Sequence, residues 1–442
     1  MSETQLTKSY TNSSFVRFLI PLLLILLCPP FAMFLWYTNV HLDGSYAQLI
    51  AFIANDGMLS VLKQVWWPVF FGSVTAWKII GLFAGFQLIL MRVLPGKLYT
   101  GPLTPMGNTP HYKDNGLLSY VISIVGFFGL SYGLKLFSPG IVYHHFGEIL
   151  GALNISALLF CLFLYFKGIF WPSSTDSGTS GNPVFDYYWG TELYPRILGW
   201  DVKMFTNCRF GMTGWSLAVL SFAAAQWERD GFLSPAIAVS AGLQAIYLFK
   251  FFIWESGYMR SMDIIVDRAG FYICWGCLVW VPALYTTHTL YMVNHHEFLS
   301  WSLAAFVLVF GLLAIWVNYQ ADLQRQRVRA TDGNCTVWGK TPKLIKANYR
   351  TDTGELKESI LLASGWWGVS RHFHYIPELT VAFLWCLPAG FDSILPYSYF
   401  IFLAILLTHR SIRDDKKCRL KYGKYWEEYC KLVPYKIVPG VF

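Results

Sequence analysis

Charge is scarce in this chain: of 442 residues only 14% are Asp, Glu, Lys or Arg, whereas 55% are hydrophobic and 18% aromatic. A soluble domain carries about 25% charged residues, so a freely dissolved globular protein is excluded. Glycine-rich nucleotide loops are missing as well. Neither Gly-x-Gly-x-x-Gly after a strand nor Gly-x-x-x-x-Gly-Lys-Ser/Thr occurs, which excludes a Rossmann or P-loop grip on a nucleotide. The nine cysteines are scattered and outline no disulfide framework. The closest pair, Cys274-Trp-Gly-Cys277, sits in an apolar run, where a thiolate is costly and cysteine packs as a small hydrophobe. There is no internal repeat to support an inverted-repeat transporter, and no Lys-Asp-Glu-Leu-type tail.

What the chain does have is long apolar runs: 19–36, 69–90, 117–136, 150–170, 215–252, 271–293, 298–317 and 376–407. About 20 residues suffice to cross a bilayer. Within 215–252, Glu228, Arg229, Asp230 and Pro235 predict a split into two passes, and Pro396 predicts a broken pair of short helices in 376–407. Only helices or a closed barrel satisfy every backbone group in lipid, and these runs are too long for barrel strands. The expected fold class is therefore all-α, a polytopic integral membrane protein with about nine or ten transmembrane helices. The first run contains Pro21, Pro29 and Pro30 without a small-residue cleavage site, and reads as a retained helix.

The expected organisation is a polar tail (1–14), transmembrane helices (15–170), a polar loop (171–210), central transmembrane helices (211–322), a basic helix and loop (323–363) and a C-terminal region with short membrane helices (364–442). Residues 343–350 alternate as one arm of a hairpin whose other arm is expected at 352–360. The net charge of +8 gathers in 325–357 and 410–436, and the positive-inside tendency turns both towards the cytoplasm.

Several constellations could carry chemistry. As a helix, 407–423 places Arg410, Asp414, Lys417 and Lys421 on one face, beginning where an apolar span ends. Charges at that depth face a cavity or one another, or else form a snorkelling collar; the pattern alone supports both. Arg325 and Arg329, one turn apart, suit bidentate grip of a phosphate monoester, although a lipid anchor has the same signature. Ser364-Gly-Trp-Trp-Gly-Val-Ser-Arg-His-Phe-His-Tyr375 offers small residues for close approach of a flat ligand and indoles to stack on it. His372 and His374 point apart on a helix and no carboxylate stands at ligand spacing, so a metal is not expected. Gln244, Tyr247, Lys250, Trp254 and Glu255 share a stripe inside the membrane, with Lys250 expected to pair with Glu255 or Asp263. A buried phenol such as Tyr247 can donate a proton without first carrying charge. The Asn-x-Ser/Thr sites at Asn12, Asn154 and Asn334 are not assigned a use.

The late block runs from an apolar pair through His409-Arg410, Arg413-Asp414 and Cys418 to Lys421-Tyr422-Gly423. The earlier one runs from Phe185-Asp186 through Gly190 to Pro195-Arg196. Together they resemble the membrane sterol reductase family, whose members reduce C14, C7 or C24(28) double bonds; Tyr194 stands where the family usually has Asn. The likeness covers most of the chain beyond Tyr99. Residues 271–282 and 331–339 are most similar to the C7-reducing members, and 322–329 and 371–375 to the plant-type ones. Many members have Lys where this chain has Arg325.

The resemblance implies NADPH-dependent reduction of the C7–C8 bond of a Δ5,7-sterol, with a C14 or C24(28) bond as alternative. It implies a C-terminal pocket for cofactor and sterol, with the cofactor site facing the cytoplasm. Arg325 and Arg329 would meet the adenosine phosphate. Trp367, Arg371, His372, Tyr375, Arg410, Asp414, Lys421, Tyr422 and Tyr429 would hold the rest of the NADPH. Tyr247 and Asp414 would be the catalytic pair that supplies the proton, in a relay ending at Tyr247. A carboxyl in a dry pocket can keep its proton, but Arg410 and Arg413 favour the carboxylate, so Asp414 is either the acid or a group that polarises Tyr247 or water. The location implied is the endoplasmic reticulum of a eukaryote, or the inner membrane of a bacterium. The partners implied are sterol, bilayer lipid and other sterol-biosynthesis enzymes, and not nucleic acid. Two more distant readings are an isoprenylcysteine-type methyltransferase and a lamin B receptor-like scaffold.

Overall fold

The computed structural model describes residues 14–104, 106–295, 299–350 and 356–442. The polar tail up to residue 13 with the site at Asn12, and Asp352 at the expected start of the second hairpin arm, lie outside them. The chain forms two compact units. One holds the described residues up to Ser300 together with Pro388–Tyr399; the other holds Trp301–Leu387 and Phe400–Phe442.

Among the described residues, seven helical stretches are long and apolar enough to cross a membrane: Phe15–His41, Val74–Val93, Gly116–Gly133, Phe146–Phe170, Pro235–Ile253, Trp301–Ala330 and Leu395–Tyr422. The principal helices of the N-terminal unit are α1 (Ser14–His41), α2 (Val74–Val93), α3 (Gly116–Phe128), α4 (Phe146–Phe170), α5 (Thr213–Asp230), α6 (Pro235–Ile253) and α7 (Thr287–Asn294). The prolines of the first run stay inside α1, as neighbouring helices allow in lipid.

Two expected spans fall outside the seven for local reasons. The run 215–252 does divide: α5 is closed by Gly231 in the left-handed region (φ 74°), and α6 opens with Pro235 behind a Ser234 cap. But α5 is only 18 residues long and ends in Glu228, Arg229 and Asp230. The run 271–293 is broken into π-helical Phe271–Trp280, Val281–Leu284 and α7. A π turn widens the helix and often marks a functional region. A second π stretch, Met204–Met212, packs against the first. Trp275 of the first donates from Nε1 to Asn154 Oδ1 of α4 at 3.0 Å. Asn154 is buried and Cys274 and Cys277 are unbridged.

The block 185–196 does structural work in this unit. Asp186 is buried and accepts the Ser180 backbone N–H at 2.8 Å, while Asn182 caps the short helix Pro183–Trp189. Gly190 has φ 101°, and a Cβ there would stand 2.6 Å from the Ala269 carbonyl carbon, so the chain crossing admits only glycine. Thr191 Oγ1 donates to the Tyr165 carbonyl at 3.1 Å, and Lys167 Nζ meets Glu192 Oε2 at 2.7 Å. The loop is thereby fastened to α4.

Glu255 does not pair with Lys250. Its carboxylate is gripped by Arg209 and by the Gly116 backbone N–H (2.9 Å), and Arg209 donates onward to Asn115 Oδ1 at 2.8 Å.

The C-terminal unit is built on α8 (Trp301–Ala330), which packs along α9 (Tyr375–Cys386). Turns at Leu387–Ala389 and Leu395–Tyr397 separate α9 from α10 (Ser398–Tyr422), and α11 (Lys424–Leu432) follows. The break around Pro396 thus occurs as expected. The hairpin pairs Leu344–Arg350 with Leu356–Leu362, Leu344 opposite Leu362. Its inward residues Ile345, Ala347 and Leu361 pack on Trp426, Tyr429 and Val433, while Ile360 and Leu362 join Val328, Val337 and Trp367. This hairpin and two smaller two-stranded pieces are the sheets found among the described residues of a helical fold.

Candidate functional site

The last turns of α8 leave the apolar span and place Asp322, Arg325 and Arg329 on one face. Arg325 is fixed there twice. Its Nη2 meets Asp322 Oδ1 at 3.3 Å, and its guanidinium carbon lies 4.0 Å from the Trp367 ring centre. Stacking uses the flat face of the fork and leaves edge donors for an oxyanion. Trp367 is itself buried, its Nε1 donating to the Ala321 carbonyl at 2.7 Å. Gln324 Oε1 accepts the Trp366 backbone N–H at 2.9 Å. Gly365 permits this with φ 60°; a Cβ there would stand 2.6 Å from Gln324 Cδ.

Arg329, one turn on, is exposed and lines a cavity of about 250 Å³ with Asp332, Glu358, Ser359 and Ile360. Ser359 Oγ accepts the Tyr422 hydroxyl at 3.3 Å, and Lys421 Nζ lies 4.1 Å from the Tyr349 ring centre and 5.1 Å from that of Tyr422. Tyr429 is buried and its hydroxyl approaches the Trp367 carbonyl at 3.5 Å. Burial pushes the Tyr429 phenol up, against the opposing pull of Arg325 and Arg371, so it remains a neutral donor. Arg325, Trp367 and Tyr429 form one cluster. Arg329, Lys421 and Tyr422 form a second at the hairpin.

The neighbours Asp414 and Asp415 face different surroundings. Asp415 is buried, accepts Trp426 Nε1 at 3.0 Å and Arg419 Nε at 2.9 Å, and lies 3.8 Å from Arg371 Nη2. Asp414 is half-buried, with Oδ2 3.8 Å from His372 Nε2 and accepting a long Cys418 S–H contact at 3.8 Å. His372 stacks on Tyr375, ring centres 5.1 Å apart. Burial drives its imidazole down to about 4, with Arg325 and Arg371 adding to the shift and Asp414 opposing it. Arg371 donates from Nη1 to the Val433 and Pro434 carbonyls at 2.8 and 3.0 Å, and so ties this loop to the C-terminal tail. Arg410 is half-buried on α10, one turn before Asp414.

Tyr247 belongs to the N-terminal unit, on α6, and is half-buried. Trp215 lies 6.2 Å from it, centre to centre, and is held by Nε1 donation to Gln244 Oε1 at 2.8 Å; Gln244 in turn donates to Thr289 Oγ1 at 2.7 Å. The expected relay from Asp414 to Tyr247 therefore draws one member from each unit.

Sequence reasoning missed Tyr349, Ser359 and Asp415. The first two reach the site through the hairpin register. For Asp415, the one available signal was its i, i+4 spacing from Arg419.

Residues 22–442 match the family described as the Ergosterol biosynthesis ERG4/ERG24 family. The chain is 49% identical to a 7-dehydrocholesterol reductase of Arabidopsis thaliana over 98% of this chain and 99% of that protein. It is 38% identical to the 7-dehydrocholesterol reductase of Xenopus laevis, over 86% of this chain and 83% of that one. With a Delta(14)-sterol reductase of Methylotuvimicrobium alcaliphilum it shares 34% identity, over 95% and 94%.

Proposed function

This chain belongs to the ergosterol biosynthesis ERG4/ERG24 family, and from that premise we propose that it reduces the C7–C8 double bond of a Δ5,7-sterol with NADPH. It is a polytopic membrane sterol reductase. The choice of bond rests on one observation, the 49% identity to a protein named 7-dehydrocholesterol reductase across nearly the whole of both chains. The 34% identity to a protein named Delta(14)-sterol reductase supports C14 reduction as the second reading.

The donor set suits a phosphorylated dinucleotide. Arg325 and Arg329 stand one turn apart, one stacked on Trp367 and the other at a cavity, and two guanidinium forks match a phosphate monoester. The stacked His372–Tyr375 pair adds an aromatic surface, buried Trp367 backs Arg325, and Arg410, Lys421, Tyr422 and Tyr429 add cationic and phenolic donors. When bound, the cofactor supplies the hydride. The protein's task is then the proton, because a carbon–carbon double bond without an electron-withdrawing group is a poor hydride acceptor. We assign proton delivery to Tyr247, whose phenol gives up a proton without being charged beforehand. To Asp414, facing a neutral His372, we assign hydrogen bonding on the cofactor side. Family membership supports an endoplasmic reticulum enzyme among others of sterol biosynthesis, and the positive-inside tendency supports a cytoplasmic basic end of α8.

The test is to incubate membranes bearing the chain with NADPH or NADH and sterols unsaturated at C7, C14 or C24(28), then identify products by mass spectrometry. Loss of the C7 double bond, with NADPH preferred, is expected. A product saturated only at C14 selects the second reading, and no reduction of any sterol overturns the proposal.

A further inference from the structure

Lys250 is a charged residue within a membrane-spanning helix; of its two expected partners, Glu255 and Asp263, the first is held by Arg209 and Gly116. Lys250 follows Tyr247 by three residues on α6, so the two side chains share a face. Its ammonium nitrogen lies 5.4 Å from the centre of the Tyr247 ring, and both residues are half-buried. An ammonium costs free energy at such depth and marks function by default. Held over an aromatic ring, it is attracted by the π face, and more strongly by any negative charge that develops on the ring.

We propose that Lys250 is a positioning residue that works through Tyr247, stabilising the phenolate that forms when Tyr247 protonates the sterol. The proposal rests on the assignment of proton delivery to Tyr247 made above. In that step the Tyr247 O–H bond breaks and a C–H bond forms on the sterol. The electron pair of the O–H bond stays on the phenolate oxygen until water returns a proton, and the hydride that completes the reduction comes from the reduced nicotinamide. Charge moves from a neutral phenol to a phenolate facing a fixed cation in a poorly screened setting. The interaction is therefore stronger in the transition state than in the ground state, which is the condition for accelerating a step.

The test compares wild type with Lys250→Met, Lys250→Arg, Tyr247→Phe and the Lys250→Met/Tyr247→Phe pair in purified, detergent-solubilised enzyme. Lys250→Met is expected to lower kcat by about tenfold to hundredfold, with unchanged sterol KM and a larger solvent deuterium isotope effect. Lys250→Arg restores most of the rate. Without cofactor, Lys250→Met binds labelled sterol with wild-type affinity and melts at the wild-type temperature. The double variant is no slower than Tyr247→Phe alone, because the lysine has nothing left to act through. Full turnover in Tyr247→Phe overturns the proton-delivery assignment itself. If Tyr247→Phe is impaired while Lys250→Met keeps wild-type kcat, that assignment stands and the role of Lys250 fails. Equal loss of sterol binding or melting temperature in Lys250→Met and Lys250→Arg identifies a packing residue and also overturns the proposal.

Discussion

At the scale of single residues, environment separates side chains that the sequence presents as equals. Asp414 and Asp415 are adjacent acids in a basic helix, yet Asp415 is committed to Trp426 and Arg419 while Asp414 looks onto His372. Likewise Arg371 is turned inward to carbonyls, whereas Arg325 lies over the Trp367 ring with Nη2 on Asp322. His372 has a consequence that can be measured. Its imidazole titrates near 6.5 in an unfolded chain and at about 4 in the folded one. Between those values the unfolded state binds more protons, so stability rises with pH through the window and falls on acidification from 6.5 towards 4. Below about 4 both states are protonated and the loss saturates, at roughly 3 kcal/mol from a shift of this size. Thermal unfolding in detergent followed from pH 7 to pH 4.5 should show this decline, and His372→Gln should flatten it. A variant with an undiminished acid slope assigns the effect to other groups.

At the scale of elements, α8 carries the cofactor reading, because one continuous helix takes the chain from lipid to a cationic face. A charged hydrogen bond of the kind Arg329 can make is worth about 1.5–3 kcal/mol. Arg329→Met should then raise the KM for NADPH roughly tenfold to hundredfold while leaving that for NADH within about twofold. An equal rise for both cofactors places the lost contact away from the extra phosphate. Much of α8 is legible in the sequence, since length, apolarity and the spacing of Arg325 and Arg329 are local properties. The hairpin is legible in its first arm through alternation, whereas the second runs on to Leu362, past the expected end at residue 360, because pairing across the turn sets the register. The π stretches are not legible. Phe271–Trp280 has the hydropathy of a straight span, and its widened turns answer to packing on α4 and on Met204–Met212. For the same reason Tyr349 and Ser359, placed by cross-strand register and by contact with Tyr422, carry no mark in their own neighbourhoods.

At the scale of the whole molecule, a chain this apolar meets buried charges with opposite charges or with backbone hydrogen bonds. Lys167 is matched to Glu192, and Lys203 Nζ donates to the carbonyls of Asp263, Ile264 and Asp267 at 3.0, 2.7 and 2.8 Å. Arg209 is matched to Glu255, with side chains 1% and 0% exposed. These pairs connect segments far apart in sequence: Glu255 reaches the start of α3 through Gly116, where a Cβ would stand 2.6 Å from the carboxyl carbon. Removing one partner of such a pair leaves a buried charge uncompensated, at a cost of about 3–5 kcal/mol, whereas removing both charges is far milder. Arg209→Met should therefore lower the melting temperature of the detergent-solubilised protein sharply. Adding Glu255→Gln should recover much of the loss, since the amide oxygen can still accept the Gly116 N–H without a charge to bury. Recovery in the double variant would identify the pair as a matched device joining these helices. A double variant as unstable as Arg209→Met would instead assign the loss to the space vacated by the arginine, and the glutamate's charge would be irrelevant to it.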